Sequence, residues 1–343
     1  VTVIFILIFS GLDLSGEYNE APMLQQKVEE RELPPVEKRL PDDPVVQEPH
    51  DDIGEYGGSW RTYMEGANDV VSLFRKIVSS DNLVEWKVQW DGVEPNIAKD
   101  WDVSDDATTF TFYLHEGIKW SDGEPFTADD IMFWYEDVIL NEDIMPSPPG
   151  WMIHGGEVGK MKKIDDYTIK FEFTKPYTFF LQELASPNGT QITWYPEHYA
   201  KQYHKDYADE NKLEEKIEES DQDKWYDLFT TRLGPWSFQP QPTLTPWKIE
   251  EPPGEVTNRV TYTRNPYYWK VDPEGNQLPY LNNVKFSMIQ DEKVMQMKAL
   301  SGELDFVSGV SDIERAVLFG NRDKGDYHIV KTIGHKSSDR IVV

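Results

Sequence analysis

Three adjacent carboxylate pairs, Asp105/Asp106, Asp129/Asp130 and Asp165/Asp166, are the first residues that could do chemistry. Glycoside hydrolysis needs two carboxyls flanking one substrate, roughly 5–9 Å apart. Sequence neighbours at turns and helix starts do not create that geometry, and these pairs read as turn and cap residues. The seven His are scattered, with no His-x-x-x-His around a Glu. His198 and His204 fall on different helix faces, so no metal site is expected. Asp272-Pro273-Glu274-Gly275-Asn276 supplies oxygen ligands suited to a cation, but a hairpin turn is the preferred reading. The chain has no Cys, which excludes disulfides, thiol nucleophiles and thiolate metal sites. It also lacks a Gly-x-Ser-x-Gly elbow, a P-loop and a dinucleotide fingerprint. The sequence therefore predicts a protein that is not an enzyme and carries no cofactor and no metal.

Binding chemistry is better represented. Aromatic residues make up 13% of the chain, with 12 Trp and 17 Tyr. They read equally as core residues or as the walls of a ligand cleft, since both side chains join a flat apolar face to a polar tip. The net charge of -28 excludes nucleic acid, which needs clustered Lys and Arg, and disfavours anionic membranes. It fits a self-repelling, soluble surface.

The elements that must position these residues follow from patterning. At 343 residues the chain is long enough for two structural units. Val1–Phe9 is an apolar run too short to span a bilayer, and with Ser10 and Gly11 it is expected to be the clipped end of an export signal, placed at 1–12. Residues 13–53 are rich in Pro and acid and read as an extended, poorly packed leader. A short helix is expected at Met23–Glu30, and the leader serves as a tether or wraps the domain. Tyr56-Gly57-Gly58-Ser59-Trp60-Arg61 suggests a turn entering a strand. Val70, Leu73, Phe74 and Ile77 have helical spacing over 69–80.

Thr109–Leu114 alternates Phe110, Phe112 and Leu114 on one face, the signature of a half-buried strand. Ser121-Asp122-Gly123-Glu124 is a tight turn. Thr127 caps the helix that follows, with Asp130 at the acid position of a capping box. Ile131, Trp134, Tyr135 and Val138 then line one helix face. Tyr167–Phe173 alternates again and is expected to pair antiparallel with 109–114. A charged helix is expected over 196–219, with Pro196 in its first turn. Further expectations are a strand at Val284–Ile289, a helix at Glu292–Leu300, a strand starting at Asp305-Phe306-Val307, and a strand-rich tail that stops abruptly at Val343.

Residues 94–135 carry a resemblance as well as local structure. Glu94-Pro95-Asn96-Ile97-Ala98-Lys99-Asp100-Trp101 leads into the strand, and Gly117-Ile118-Lys119-Trp120-Ser121-Asp122-Gly123-Glu124-Pro125-Phe126-Thr127-Ala128-Asp129-Asp130 follows it. This run resembles the family 5 extracellular solute-binding proteins of ABC transporters, with His115 where the family usually has Arg. Arg264-Asn265-Pro266-Tyr267-Tyr268-Trp269, Leu278-Pro279-Tyr280 and Gly302-Glu303-Leu304-Asp305 extend the resemblance over roughly residues 20–343.

The resemblance implies a mixed α/β (α+β) fold of the two-lobed periplasmic-binding-protein type, large type II class. Mainly lobe one and its inserted subdomain would be present. It places the lobe-one core at 54–69 and 186–310, the subdomain at 70–185, and a crossover toward a missing second lobe at 311–343. It also implies an exported protein, in the periplasm or on the cell surface. Such a protein would bind peptides or a related small solute by lobe closure and deliver it, as a monomer, to an ABC permease. The loop Met64–Asp69, with Glu65, Asn68 and Asp69, corresponds to a cleft-lining loop of the family. The loop Pro146–Trp151 resembles one that sets an aromatic, here Trp151, over the ligand. Trp60, Asn188 and Trp247 are further candidates. The alternatives are a secreted glycan-active enzyme or oligosaccharide-binding protein, and a sensor or chaperone built on the same lobe.

Overall fold

The computed structural model describes residues 18–49, 51–66, 81–233, 241–251, 258–307, 312–325, 327–333 and 339–342. The helix expected over 69–80 and the candidates Asn68 and Asp69 lie outside the described residues.

Two four-stranded sheets organise the chain. In the first, Thr109–Leu114 pairs antiparallel with Thr168–Glu172, placing Ile169 opposite Phe112 and Phe171 opposite Phe110. Ala98–Val103 and Lys160–Asp165 complete its edges. The period-2 pattern thus sends Phe110, Phe112, Leu114, Ile169 and Phe171 to one buried face. Phe180 closes that face, 4.8 Å from Phe110 and 5.0 Å from Phe171. Burying each such ring contributes about 2–3 kcal/mol.

The helix Ala128–Phe133 packs on the same core and continues as a π-helical turn, Trp134–Ile139. Its capping box forms: the Asp129 N–H donates to the Thr127 hydroxyl, and the Thr127 N–H donates to Asp130. Ile131, Trp134, Tyr135 and Val138 are all buried. The turn before it places Gly123 at φ +99, where an added Cβ would lie 2.9 Å from the Tyr267 ring. Left-handed backbone and close approach together require glycine there.

The second sheet has the order Trp247–Glu251, Arg259–Arg264, Leu281–Met288, Gly57–Met64. The last two strands run parallel and the rest antiparallel. Val260, Tyr262, Val284, Phe286, Met64 and Trp247 form a separate buried cluster on one face. A third cluster joins the helices Glu292–Leu300 and Asp312–Gly325.

The structure corrects three expectations. The described part of the leader is packed rather than loose: Leu24, Val36 and Leu40 are buried. Arg39, fully buried, donates to Pro34 O at 3.0 Å and Gln277 Oε1 at 2.9 Å, and also to Pro266 O and Glu20. Val45 and Val46 pair with Lys270 and Val271. The leader therefore wraps the domain, because one buried guanidinium needs acceptors from both segments.

The helix expected over 196–219 breaks into Glu197–Ala200, a 3-10 turn at Lys201–Tyr203 and Glu210–Glu218, with Pro196 as N-cap. The break occurs at His204, which is fully buried in extended backbone, 4.8 Å from Trp225 and 5.8 Å from Phe229. Burying the ring outweighs helix propensity there. Asp305–Val307 forms no strand and docks on the end strand of the second sheet through one backbone bond and several side-chain bonds.

Candidate functional site

Five of the six paired carboxylates, all but Asp105, are engaged in structural bonds. Asp106 accepts from Ser104 and Thr108. Asp129 and Asp166 share Lys163 at 2.7 and 2.6 Å. Asp130, 4% exposed, accepts from Thr127 N, Glu197 N and Trp120 Nε1, and burial pushes its carboxyl up to about 6. Asp272 takes the turn reading: it accepts from Glu274 N, Asn276 N, Asn276 Nδ2 and the Tyr280 hydroxyl, which leaves its oxygens engaged. Among the described residues no group of three His, Asp or Glu is arranged to hold a metal.

The residues nominated for solute contact separate into distinct places. Trp60 and Trp247 share the apolar face of the second sheet. The register sets Trp60 beside Val284, Val284 beside Tyr262, and Tyr262 beside Ile249. Trp60 is half-buried, whereas Trp247 is 9% exposed and its indole donates to Leu281 O at 3.0 Å. Glu65 is exposed just past the end of the strand that carries Trp60.

Trp151 lies elsewhere. It is 8% exposed in the core of the first sheet, stacked on Trp134 at 6.0 Å and 10° and on Phe180 at 6.4 Å. Asn188 is exposed in a surface turn and donates to Glu183 at 2.8 Å. The structure brings Trp60, Trp247 and Glu65 to one sheet and leaves Trp151 and Asn188 apart from them.

Sequence reasoning missed two members of this wall, Phe306 and Trp194. Phe306 meets Trp60 edge-on, with centroids 5.5 Å apart and planes at 79°. Trp194 packs against both the first-sheet core and the Trp247 cluster. The signal for Phe306 was its position next to Asp305.

A clamp holds Phe306 in place. The Arg61 N–H and Nε donate to Asp305 Oδ2 at 2.7 and 2.8 Å, and Nη2 donates to Oδ1 at 2.5 Å. The Asp305 N–H returns a bond to Arg61 O, and the Thr62 hydroxyl donates to Phe306 O. Burial pushes the Asp305 carboxyl up, but these bonds win and hold it below its usual value. The Gly302–Asp305 segment thus fixes an aromatic over Trp60. Chemically, this face groups aromatic rings beside the exposed Glu65 carboxylate, residue types suited to binding rather than to proton transfer.

Comparison with known proteins gives the wall its context. The family model described as bacterial extracellular solute-binding proteins, family 5 Middle, matches residues 92–337. The periplasmic alpha-galactoside-binding protein of Rhizobium meliloti is 32% identical over 79% of this chain and 39% of its own length. The dipeptide-binding protein DppE of Bacillus subtilis is 27% identical over 70% of this chain and 39% of its own length. Among solved structures, an oligopeptide-binding protein OppA superposes with a TM-score of 0.84 at 38% identity, covering 93% of this chain and 50% of that one. The periplasmic binding protein MelB of Agrobacterium fabrum, in complex with stachyose, gives 0.68 at 29% identity, covering 91% and 46%. The chain therefore spans about half or less of the length of these relatives. The chain belongs to the bacterial extracellular solute-binding proteins, family 5.

Proposed function

We propose that this chain is part of the solute-binding component of an ABC importer, exported to the periplasm or cell surface and acting as a monomer. It binds a peptide or an oligosaccharide and hands it to a membrane permease without transforming it. Family membership supports the class, and the Trp60–Phe306 wall held by the Arg61–Asp305 clamp is the observation that carries the reading. The second sheet with residues 54–69 and 186–310 is assigned to lobe one, and 70–185 to its inserted subdomain. Trp60, Glu65 and Trp247 are assigned to the solute wall, and so are Asn68 and Asp69, which lie outside the described residues. Trp151 stays in the assignment as a support for the 146–151 loop, since its ring is committed to the core. Asn188, on a surface turn apart from this wall, is kept only as a second, separate candidate contact.

The solute class is drawn from the relatives' names, which include peptide binders and galactoside binders. Thermal unfolding of the complete gene product against dipeptides, longer peptides, raffinose and stachyose tests this. A true solute at about 100 Kd adds roughly 2.7 kcal/mol and raises Tm. No stabilisation by any of them would refute the receptor reading.

A further inference from the structure

A second cleft lies between the leader helix Pro22–Glu29, the Ser121–Asp122 turn and the second sheet's edge strand Trp247–Glu251. It encloses about 650 Å³, within the range of small-molecule sites. Its walls are amphiphilic. Met23, Leu33 and Tyr267 supply apolar surface, and Lys27 and Lys248 supply two free cations, while the lining Arg264 guanidinium is engaged by Pro279 O, Tyr280 O and Asn282.

Several lysines pair with carboxylates, among them Lys163, Lys201, Lys205 and Lys298, whereas the two in this cleft do not. Among the described residues, neither the Lys27 nor the Lys248 ammonium has a hydrogen bond or an ion pair, although the protein carries a net charge of -28. Lys248 is half-buried, and burial, followed by the nearby Lys27 charge, depresses its basicity. Bringing two ammonium groups together with one of them desolvated is unfavourable, and an anion between them relieves it.

The acids of the same cleft narrow the choice of anion. Asp122 is occupied by His198 at 2.8 Å. Glu32 and Glu250 are exposed and repel multiply charged ligands. An apolar wall with two free cations, one engaged guanidinium and a rim of negative charge suits one negative charge on an apolar body. We infer that the cleft between the leader helix and the edge strand binds a small organic monocarboxylate, with Lys27 and Lys248 holding the carboxylate and Met23, Leu33 and Tyr267 its hydrocarbon part. This site is separate from the Trp60 wall and does not depend on the importer reading. It gives the wrapped leader a binding role.

The test is two-dimensional NMR of the protein with 13C-labelled lysine, following the ε-methylene signals during titration with hexanoate, benzoate and inorganic phosphate. Hexanoate and benzoate should move the Lys248 and Lys27 signals saturably. Bound carboxylate should also raise the pH at which Lys248 loses its proton. Lys248→Met and Lys27→Met should each weaken binding by about tenfold, the loss of one charge-assisted bond, while Lys248→Arg retains it. Tm of each variant without ligand serves as the folding control. Absence of saturable shifts in the unsubstituted protein overturns the proposal, and so does phosphate binding as tightly as hexanoate. Unchanged affinity in a folded Lys248→Met variant overturns it as well.

Discussion

Replacing Asp130 by Ala tests the claim that the acid three residues after Thr127 is a buried structural node. Asp130 is 4% exposed and accepts three protein donors: Thr127 N at 2.9 Å, Glu197 N at 2.9 Å and Trp120 Nε1 at 3.2 Å. Alanine strands all three. Each buried unsatisfied donor costs about 1–3 kcal/mol, but water reaches the two partly buried backbone groups, so a loss of about 3 kcal/mol is expected at neutral pH.

The pH dependence gives a sharper criterion. Burial raises the Asp130 carboxyl from 3.8 to about 6 in the folded protein. A carboxyl raised on folding takes up its proton more readily in the folded state. Its contribution to stability is therefore largest below about pH 4 and declines as pH rises toward 6. Alanine cannot titrate. The destabilisation caused by Asp130→Ala should thus be about 1 kcal/mol greater near pH 5 than near pH 7.5. Urea unfolding followed by tryptophan fluorescence at both pH values measures this. A loss below about 1 kcal/mol, or a loss greater at the higher pH, would refute the reasoning.

Other perturbations probe the leader and the wall. Arg39→Ala leaves Glu20 and Gln277 without their buried partner and should cost about 3–5 kcal/mol, read by urea unfolding. A leader that merely tethers would show no such loss. The Arg61/Asp305 pair is partly exposed, at 45% and 34% of the side chains, so a double-mutant cycle to Ala should give a coupling of about 1 kcal/mol. In the complete protein, either substitution should weaken solute affinity by freeing Phe306, and unchanged affinity would remove the clamp from the site.

Some of this protein was legible because it is local. The alternation of Phe110, Phe112 and Leu114 defined a strand and its buried face, and the matching alternation at 168–172 defined its partner. The Thr127/Asp130 spacing defined a capped helix, and the helix expected at Glu292–Leu300 forms, with Asp291 as the cap that the structure adds. Such signals act within one turn or one pleat, so the chain carries them without knowing its neighbours.

What only the tertiary structure decided is where distant segments meet. Arg39 looks like a surface cation in a Pro-rich leader, and it is buried because Pro266 and Gln277 supply acceptors 227 and 238 residues away. Trp151 looks like a ligand-facing loop aromatic, and its ring is instead the third member of a Trp134–Phe180 stack. Phe306 gave no signal of its own and gains its position from Arg61, which meets Asp305 across 244 residues. Periodicity reports which face of an element is apolar. It does not report which other face will cover it, because that choice depends on the joint packing of residues far apart in the chain.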